Sequence, residues 1–190
     1  MTDQLRIVDH DERWAERFAA LGSSLRAELG AEALRIDHIG STSVAGLAAK
    51  DIIDVQVTVV RLTHADAWSD ALLPGLTRRG DKHRDHVPPG ASELAADWEK
   101  RLWARPHEAH VHVREDGRAN QRYALLFRDY LRADATAAQA YAHVKRMLAL
   151  HVPDDWEAYY AVKDPACDLI WAGAQQWAER TGWELATSDA

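Results

Sequence analysis

Strict alternation of apolar and polar residues marks two stretches of the chain, and each stretch predicts a β-strand with one polar face. In the first, residues 53–59, four aliphatic residues alternate with polar ones that include Asp54. In the second, Ala-His-Val-His-Val at 109–113, His110 and His112 occupy alternate positions. Because successive side chains of a strand point to opposite faces, both imidazoles should project together, and Asp54 should project from the polar face of its own strand.

Helical spacing of apolar residues predicts most of the other elements. A first helix begins near Asp11, a suitable N-cap, and ends near Gly30, while a short strand ends at Gly40 and leads into a loop with some helical turn. The segment 75–108 is rich in Arg, His, Pro and Gly and has no regular pattern. Further helices are predicted over 64–73, 118–132 and 135–151, near Asp155, and from Asp164-Pro165 onward.

This order of elements predicts an α/β (α+β) fold in a single domain of residues 1–190, with a sheet-containing core over 1–115 and a helical C-terminal subdomain over 116–190. The hydrophobic fraction of 47% and the charged fraction of 28% are ordinary for a globular protein. A net charge of −7 gives no strong sign of nucleic-acid binding.

The N-terminus has no signal-peptide pattern and no apolar run reaches membrane-spanning length, so we expect a cytoplasmic protein without membrane contact. A single cysteine, Cys167, excludes an intramolecular disulfide and a cysteine-based zinc site.

The stretch Gly40-Ser41-Thr42-Ser43, followed by Lys50 and Asp54, is the strongest candidate for chemistry. Gly40 lets a ligand approach the backbone closely, the hydroxyls of Ser41 and Thr42 add donors, and Lys50 adds a positive charge. A strand carboxylate beside such a loop is a common magnesium ligand in phosphoryl transfer. The alternative is a turn that caps a helix, with Asp54 paired to a basic residue; no P-loop motif is present.

The run IDHIGSTSVAGLAAKDIIDV at 36–55 resembles the signature of the GrpB family of small bacterial proteins. The resemblance continues in order through four further motifs, although Ala45 and Asp51 stand where the family usually has proline. These motifs are HVHV (110–113), LLFRDYLRAD (125–134), AYAHVKRMLA (140–149) and YAVKD (160–164).

The GrpB family is similar to nucleotidyltransferases of the DNA polymerase β palm type, which implies a mixed sheet flanked by helices. The resemblance places Gly40 and Ser41 in the phosphate loop, Asp54 as metal ligand, and Gln56 where a second carboxylate is expected. His110 and His112 fall in the region of the third carboxylate, where they either help to bind metal or donate hydrogen bonds in a polar pocket. The cofactors implied are Mg²⁺ or Mn²⁺, with Zn²⁺ as a further option, and a nucleoside triphosphate as substrate.

Several charged residues in the later motifs are further candidates. Arg122 and Arg128 are suited to bidentate phosphate or carboxylate contacts, whereas Asp129 is expected to form a structural pair with arginine. Lys145 and Lys163 are either site residues or ordinary surface lysines. Two other contributions to the pocket are a mobile loop carrying His86 and a basic edge formed by Lys100 and Arg101.

The resulting hypothesis is a nucleotidyl- or phosphoryltransferase that binds a small polar acceptor. Three alternatives stay open: a catalytically silent ligand-binding relative, a different reaction on a small metabolite with the same pocket, and a protein-interaction module. The last follows from the resemblance, since a GrpB-like domain is also found fused behind dephospho-CoA kinase, where it is thought to assist folding.

Overall fold

The computed structural model describes residues 4–68, 73 and 75–190. Its strands form one mixed sheet in the order β1-β2-β5-β4-β3, in which the central pair β2–β5 is parallel and the other pairs are antiparallel. The mixed sheet with flanking helices confirms the predicted α/β class. The strands are β1 (Arg35–Ile39), β2 (Ile53–Val59), β3 (Thr77–Arg78), β4 (Arg101–Arg105) and β5 (Ala109–Glu115).

Helices cover both faces of this sheet. They are α1 (Arg13–Leu29), α2 (Leu62–Asp66), α3 (Ala119–Ala133), α4 (Ala135–His151) and α5 (Trp156–Thr181). Short 3-10 turns occupy Gly30–Glu32, Ser41–Ser43 and Ala95–Asp97. No helix in the described part of the chain combines the length and the apolar character needed to cross a membrane.

The aliphatic face of β2 and β5 packs against α1 and α2 and forms the largest apolar core. Trp14 and Phe18 of α1 enter this core together with Trp103 of β4. Burial of each large apolar side chain contributes about 1.5–3 kcal/mol to folding. Because a shift of one residue would expose the whole aliphatic set of a strand, the alternating pattern fixes which face β2 and β5 bury.

Helix α1 lies close to its predicted bounds, although Glu12 and not Asp11 occupies the N-cap position. The Asp11 carboxylate accepts a hydrogen bond from the backbone N–H of Arg13 at 2.9 Å, which satisfies one of the free donors at the helix start. Gly30 follows the helix with a φ of +50°, a conformation that glycine adopts without strain.

Part of the polar face of the sheet is also buried, because α3 crosses it. Gln56, Thr58 and Arg114 are almost fully enclosed there. Helices α3, α4 and α5 pack on one another through apolar clusters of their own, one of which contains Leu126 and Trp171. The chain therefore buries a polar layer between two apolar ones.

Three predicted elements need correction. Segment 75–108 contains strand β4, whose central residues are buried on both faces and so lack the alternation that marks a half-exposed strand. Helix α5 runs uninterrupted through Pro165, so the break predicted at Asp164-Pro165 is wrong. The helix predicted over 64–73 begins earlier, as α2, while residues 69–72 of that prediction lie outside the described part of the chain.

Candidate functional site

The register of the parallel pair β2–β5 brings the predicted acid and histidines together. Asp54 lies opposite His110, and Gln56 lies opposite His112. His110 Nδ1 is 3.2 Å from Asp54 Oδ1, and His112 Nε2 is 3.5 Å from the same oxygen. Ligand atoms of the three side chains all lie within 4.8 Å of one another, an arrangement that could hold a metal ion.

The Gly40 turn closes against this cluster. Gly40 has φ +69° and ψ −173°, and a Cβ atom built on it would lie 2.6 Å from Asp54 Oδ2. Any larger residue would displace the carboxylate. The turn is held from behind by Arg132, whose guanidinium donates two hydrogen bonds to the Ser43 carbonyl oxygen at 3.0 and 2.8 Å.

Asp54 is kept ionised by its neighbours. Burial acts to raise the pKa of Asp54, but hydrogen bonds from His110 and His112 outweigh burial and hold the pKa well below its usual value. Burial also lowers the pKa of His112 to about 4, with a further contribution from the Lys100 charge, so this imidazole is neutral at pH 7.

A buried polar network fixes the tautomer of His112 from the other side. The Lys100 ammonium donates to His112 Nδ1 at 3.3 Å and to Asp85 at 2.6 Å. With Nδ1 accepting, Nε2 carries the proton, and Asp54 Oδ1 lies 3.5 Å from it. In this state the His112 N–H faces the carboxylate and favours its ionised form.

Gln56 belongs to the same network. Its Oε1 accepts a hydrogen bond of 2.6 Å from Arg114, and the Arg114 guanidinium also bonds both carboxylate oxygens of Asp85. The position where a second metal-binding carboxylate would stand is thus filled by an amide that faces an arginine. Two carboxylates are needed to hold a pair of Mg²⁺ ions, and this place does not supply the second.

Three lysines lie near the Gly40 turn and near one another. Lys145 of α4 donates to Ser41 Oγ at 2.7 Å, next to Gly40. Lys50 lies within 6 Å of the ring centres of three aromatic residues of α5, and its burial lowers its pKa, an effect that the Asp54 charge opposes. Lys163 of α5 is close enough for its charge to lower the pKa of both other lysines. The loop and the helices therefore gather positive charge beside the Gly40 turn.

Other predicted residues lie outside this cluster. Arg128 is buried behind β1, where it donates to the His38 carbonyl oxygen and to Asp189, and its contacts do not support a phosphate-binding role. Arg122 lies over the ring of Trp183, on the far side of α3. The Thr42 hydroxyl is turned toward the His38 ring at 3.0 Å.

The remaining candidates have structural partners. Asp129 pairs with Arg128 at 2.7 Å, which matches the structural pairing that was expected. His86 reaches α5 and contacts Asp168 at 2.8 Å. Arg101 pairs with Asp66 on the outer surface, so it does not form a basic edge of the pocket.

Sequence reasoning missed the roles of Asp85 and Arg114 and left Lys145 undecided. Lys145 is only 2% exposed, and it lies on the face of α4 that also buries Tyr141 and Leu148. A lysine at an apolar position of a helix was the signal available. Asp85 has no such signal, because it follows an irregular segment and meets Arg114 only in the folded chain.

A model of the GrpB protein family matches residues 4–172. The chain belongs to the GrpB family. The crystal structure of the conserved protein GrpB from Enterococcus faecalis is similar, with a TM-score of 0.76 and 28% identity, over 90% of this chain and 99% of that one. A UPF0157 protein of Streptomyces coelicolor is 37% identical and aligns over 89% of this chain and 82% of its own length.

Other GrpB relatives are longer proteins. A dephospho-CoA kinase of Mycolicibacterium paratuberculosis is 37% identical over 95% of this chain, but only 48% of the kinase is covered. The chain thus spans about half the length of the first curated relatives it matches. Motif order along this GrpB chain was therefore a sound guide to its family.

Proposed function

We propose that this GrpB protein is a metal-dependent transferase of the nucleotidyltransferase type, which moves a nucleotidyl or phosphoryl group from a nucleoside triphosphate to a small polar acceptor. The observation that carries the proposal is the convergence of Asp54, His110 and His112 beside the Gly40 turn. The Gly40 backbone lies so close to the Asp54 carboxylate that no side chain fits between them. A loop that binds phosphate beside a metal ion needs such a close approach of backbone N–H groups.

The donor set of carboxylate and imidazole fits one divalent ion that accepts both oxygen and nitrogen ligands, such as Mn²⁺ or Zn²⁺, better than a pair of Mg²⁺ ions. Asp54 and His110 would hold the ion, which would polarise a phosphoryl oxygen and stabilise the charge that develops there. Coordination by His112 Nε2 would require the proton to move to Nδ1, which faces the Lys100 ammonium. We therefore assign His112 to positioning Asp54, and the half-exposed His110 to coordination.

Metal binding measured by calorimetry with Mn²⁺, Zn²⁺ and Mg²⁺ tests this assignment. Asp54→Ala and His110→Ala should abolish binding. His112→Ala should weaken it by about tenfold, the usual effect of removing a residue that only orients a metal ligand. The exposed His151→Ala should match the wild type. Equal loss in His110→Ala and His112→Ala would contradict the division of roles. Failure of the wild type to bind any of these ions would contradict the metal centre.

Two products of nucleoside triphosphates, assayed with panels of small polar alcohols and amines, test the reaction: pyrophosphate is released by nucleotidyl transfer and the nucleoside diphosphate by phosphoryl transfer. Turnover that requires metal and Asp54 would support transfer. Nucleotide binding without turnover would instead favour a second function, a ligand-binding module. The observation that favours this second function is Gln56, whose amide is bound to Arg114 in place of a metal-binding carboxylate.

A further inference from the structure

A cavity of about 560 Å³ lies between the loop 43–47, which follows the Gly40 turn, and the helices α3 and α4. Its volume falls within the range of small-molecule sites, which are mostly apolar clefts of about 300–1,000 Å³. None of Asp54, His110 and His112 lines it, so it is a separate place from the candidate metal centre. Apolar side chains of the loop, α3 and α4 form its floor: Val44, Leu47, Leu131, Ala138 and Ala142.

The rim of this cavity carries two positive charges, from Arg132 of α3 and Arg146 of α4. Among the described residues that line the cavity none is acidic, although the whole chain has a net charge of −7. An apolar floor below two guanidinium groups matches a molecule that has an apolar body and an anionic head.

Both arginines have N–H groups that no described residue engages. Arg132 donates through Nε and Nη2 to the Ser43 carbonyl oxygen, while its Nη1 atom is 3.7 Å from Asp129 Oδ1, beyond hydrogen-bond distance. Arg146 donates through Nη2 to Asp9 Oδ1 at 2.5 Å, but the Asp9 side chain is 87% exposed, and ion pairs between exposed side chains contribute little. Each guanidinium therefore keeps donors for an anion at the rim.

We propose that this cavity is a binding site for a small amphipathic carboxylate, with the carboxylate at Arg132 and Arg146 and the hydrocarbon chain on the apolar floor. Guanidinium and carboxylate match in shape and form charge-assisted hydrogen bonds, so a carboxylate binds more tightly than a neutral head group. Burial of the hydrocarbon chain supplies the rest of the affinity. The proposal does not rest on the transferase function, because it uses neither Asp54 nor the histidines of β5.

Calorimetry with straight-chain carboxylates, in the presence of a chelator that removes metal ions, tests the site. The wild type should bind hexanoate, and the affinity should rise about fourfold per methylene group from butanoate to hexanoate, because each added group is removed from water. 1-Hexanol and hexylamine keep the chain but lack the anion, so each should bind at least about tenfold more weakly than hexanoate.

Variants of the rim and of the floor separate the two halves of the site. Arg146→Met should weaken hexanoate binding about tenfold and leave 1-hexanol binding unchanged, a difference that a general loss of structure would not produce. Ala138→Phe should fill the floor and abolish binding of both, whereas Ala140→Phe, at an exposed position of the same helix, should bind like the wild type. If Ala138→Phe does not fold, Arg146→Met still decides, with the exposed Arg180→Met of α5 as its control.

Four outcomes would overturn the proposal. The first is no binding of hexanoate to the wild type, and the second is equal binding of hexanoate and 1-hexanol, because the arginines would then have no role. The third is an equal loss of binding in a variant and in its exposed control. The fourth is tighter binding of hexyl phosphate than of hexanoate, because it would show that the rim selects phosphates.

Discussion

Replacement of Gly40 by alanine tests how closely the turn approaches Asp54. The new Cβ would lie 2.6 Å from Asp54 Oδ2 and 3.0 Å from its Cβ atom, well inside normal contact. It would also stand on a backbone with φ +69° and ψ −173°, a region that is essentially reserved for glycine.

The two effects give the expected magnitude. Backbone strain of this kind costs roughly 1–3 kcal/mol, and overpacking of a filled site costs about 1–3 kcal/mol more. Relaxation of the Asp54 side chain should recover part of the second contribution, so we expect Gly40→Ala to lower the free energy of unfolding by about 3 kcal/mol. At about 2–4 °C per kcal/mol for a chain of this size, the melting temperature should fall by roughly 6–12 °C.

Urea unfolding of Gly40→Ala should be compared with that of Gly46→Ala. Gly46 has a similar φ of +76°, but a Cβ there meets nothing within 4 Å, so this control measures strain without the clash. In an Asp54→Ala background the cost of Gly40→Ala should shrink, because the carboxylate that the new methyl group meets is gone. A cost in Gly40→Ala no larger than in Gly46→Ala, or an unchanged cost in the double variant, would refute the close approach.

Three further variants test other parts of the molecule. Burial lowers the pKa of His38 to about 4, from a value near 6.5 in the unfolded chain. The folded protein therefore has its full stability above pH 6.5 and loses about 3 kcal/mol of it as the pH falls from 6.5 to 4, because the unfolded chain takes up the proton first. The free energy of unfolding of His38→Gln should lack this loss across the same pH range. Arg114→Met removes one of the two cations that pair with the buried Asp85 carboxylate and takes the donor away from Gln56 Oε1, so it should cost about 3 kcal/mol in urea unfolding. Arg79→Met, at an exposed ion pair, should cost less than about 1 kcal/mol, and equal costs would contradict the buried network. Asp155→Ala removes the cap that accepts the Ala158 N–H and should lower the melting temperature by the equivalent of about 1 kcal/mol, while its neighbour Asp154→Ala should change it little.

Local patterns were enough to locate most elements. Alternation over 53–59 and 109–113 predicted β2 and β5, because each strand buries one aliphatic face. Helical spacing predicted α4 with its observed bounds, Ala135–His151. Strand β4 was not predicted, because it is buried on both faces and its sequence therefore lacks alternation of apolar and polar residues.

Only part of the candidate site could be predicted from the sequence. Glycine before a polar turn, with one carboxylate on the next strand, indicated that Gly40 and Asp54 would meet, and the shared face of two histidines in β5 was equally local. The pairing of these groups depends on the parallel register of β2 and β5, which is set by the packing of whole elements.

What the sequence by itself determined is the family and the α/β class, and it also named Gly40, Asp54, His110 and His112 as candidates, because each of these follows from short-range spacing or from the order of motifs along the chain. Only the tertiary structure decided the state of Gln56 and the surroundings of Lys145, because their partners are 58 and 104 residues away in sequence. A side chain's charge and hydrogen bonds are set by what surrounds it in space, and that environment exists only after the helices have closed over the polar face of the sheet.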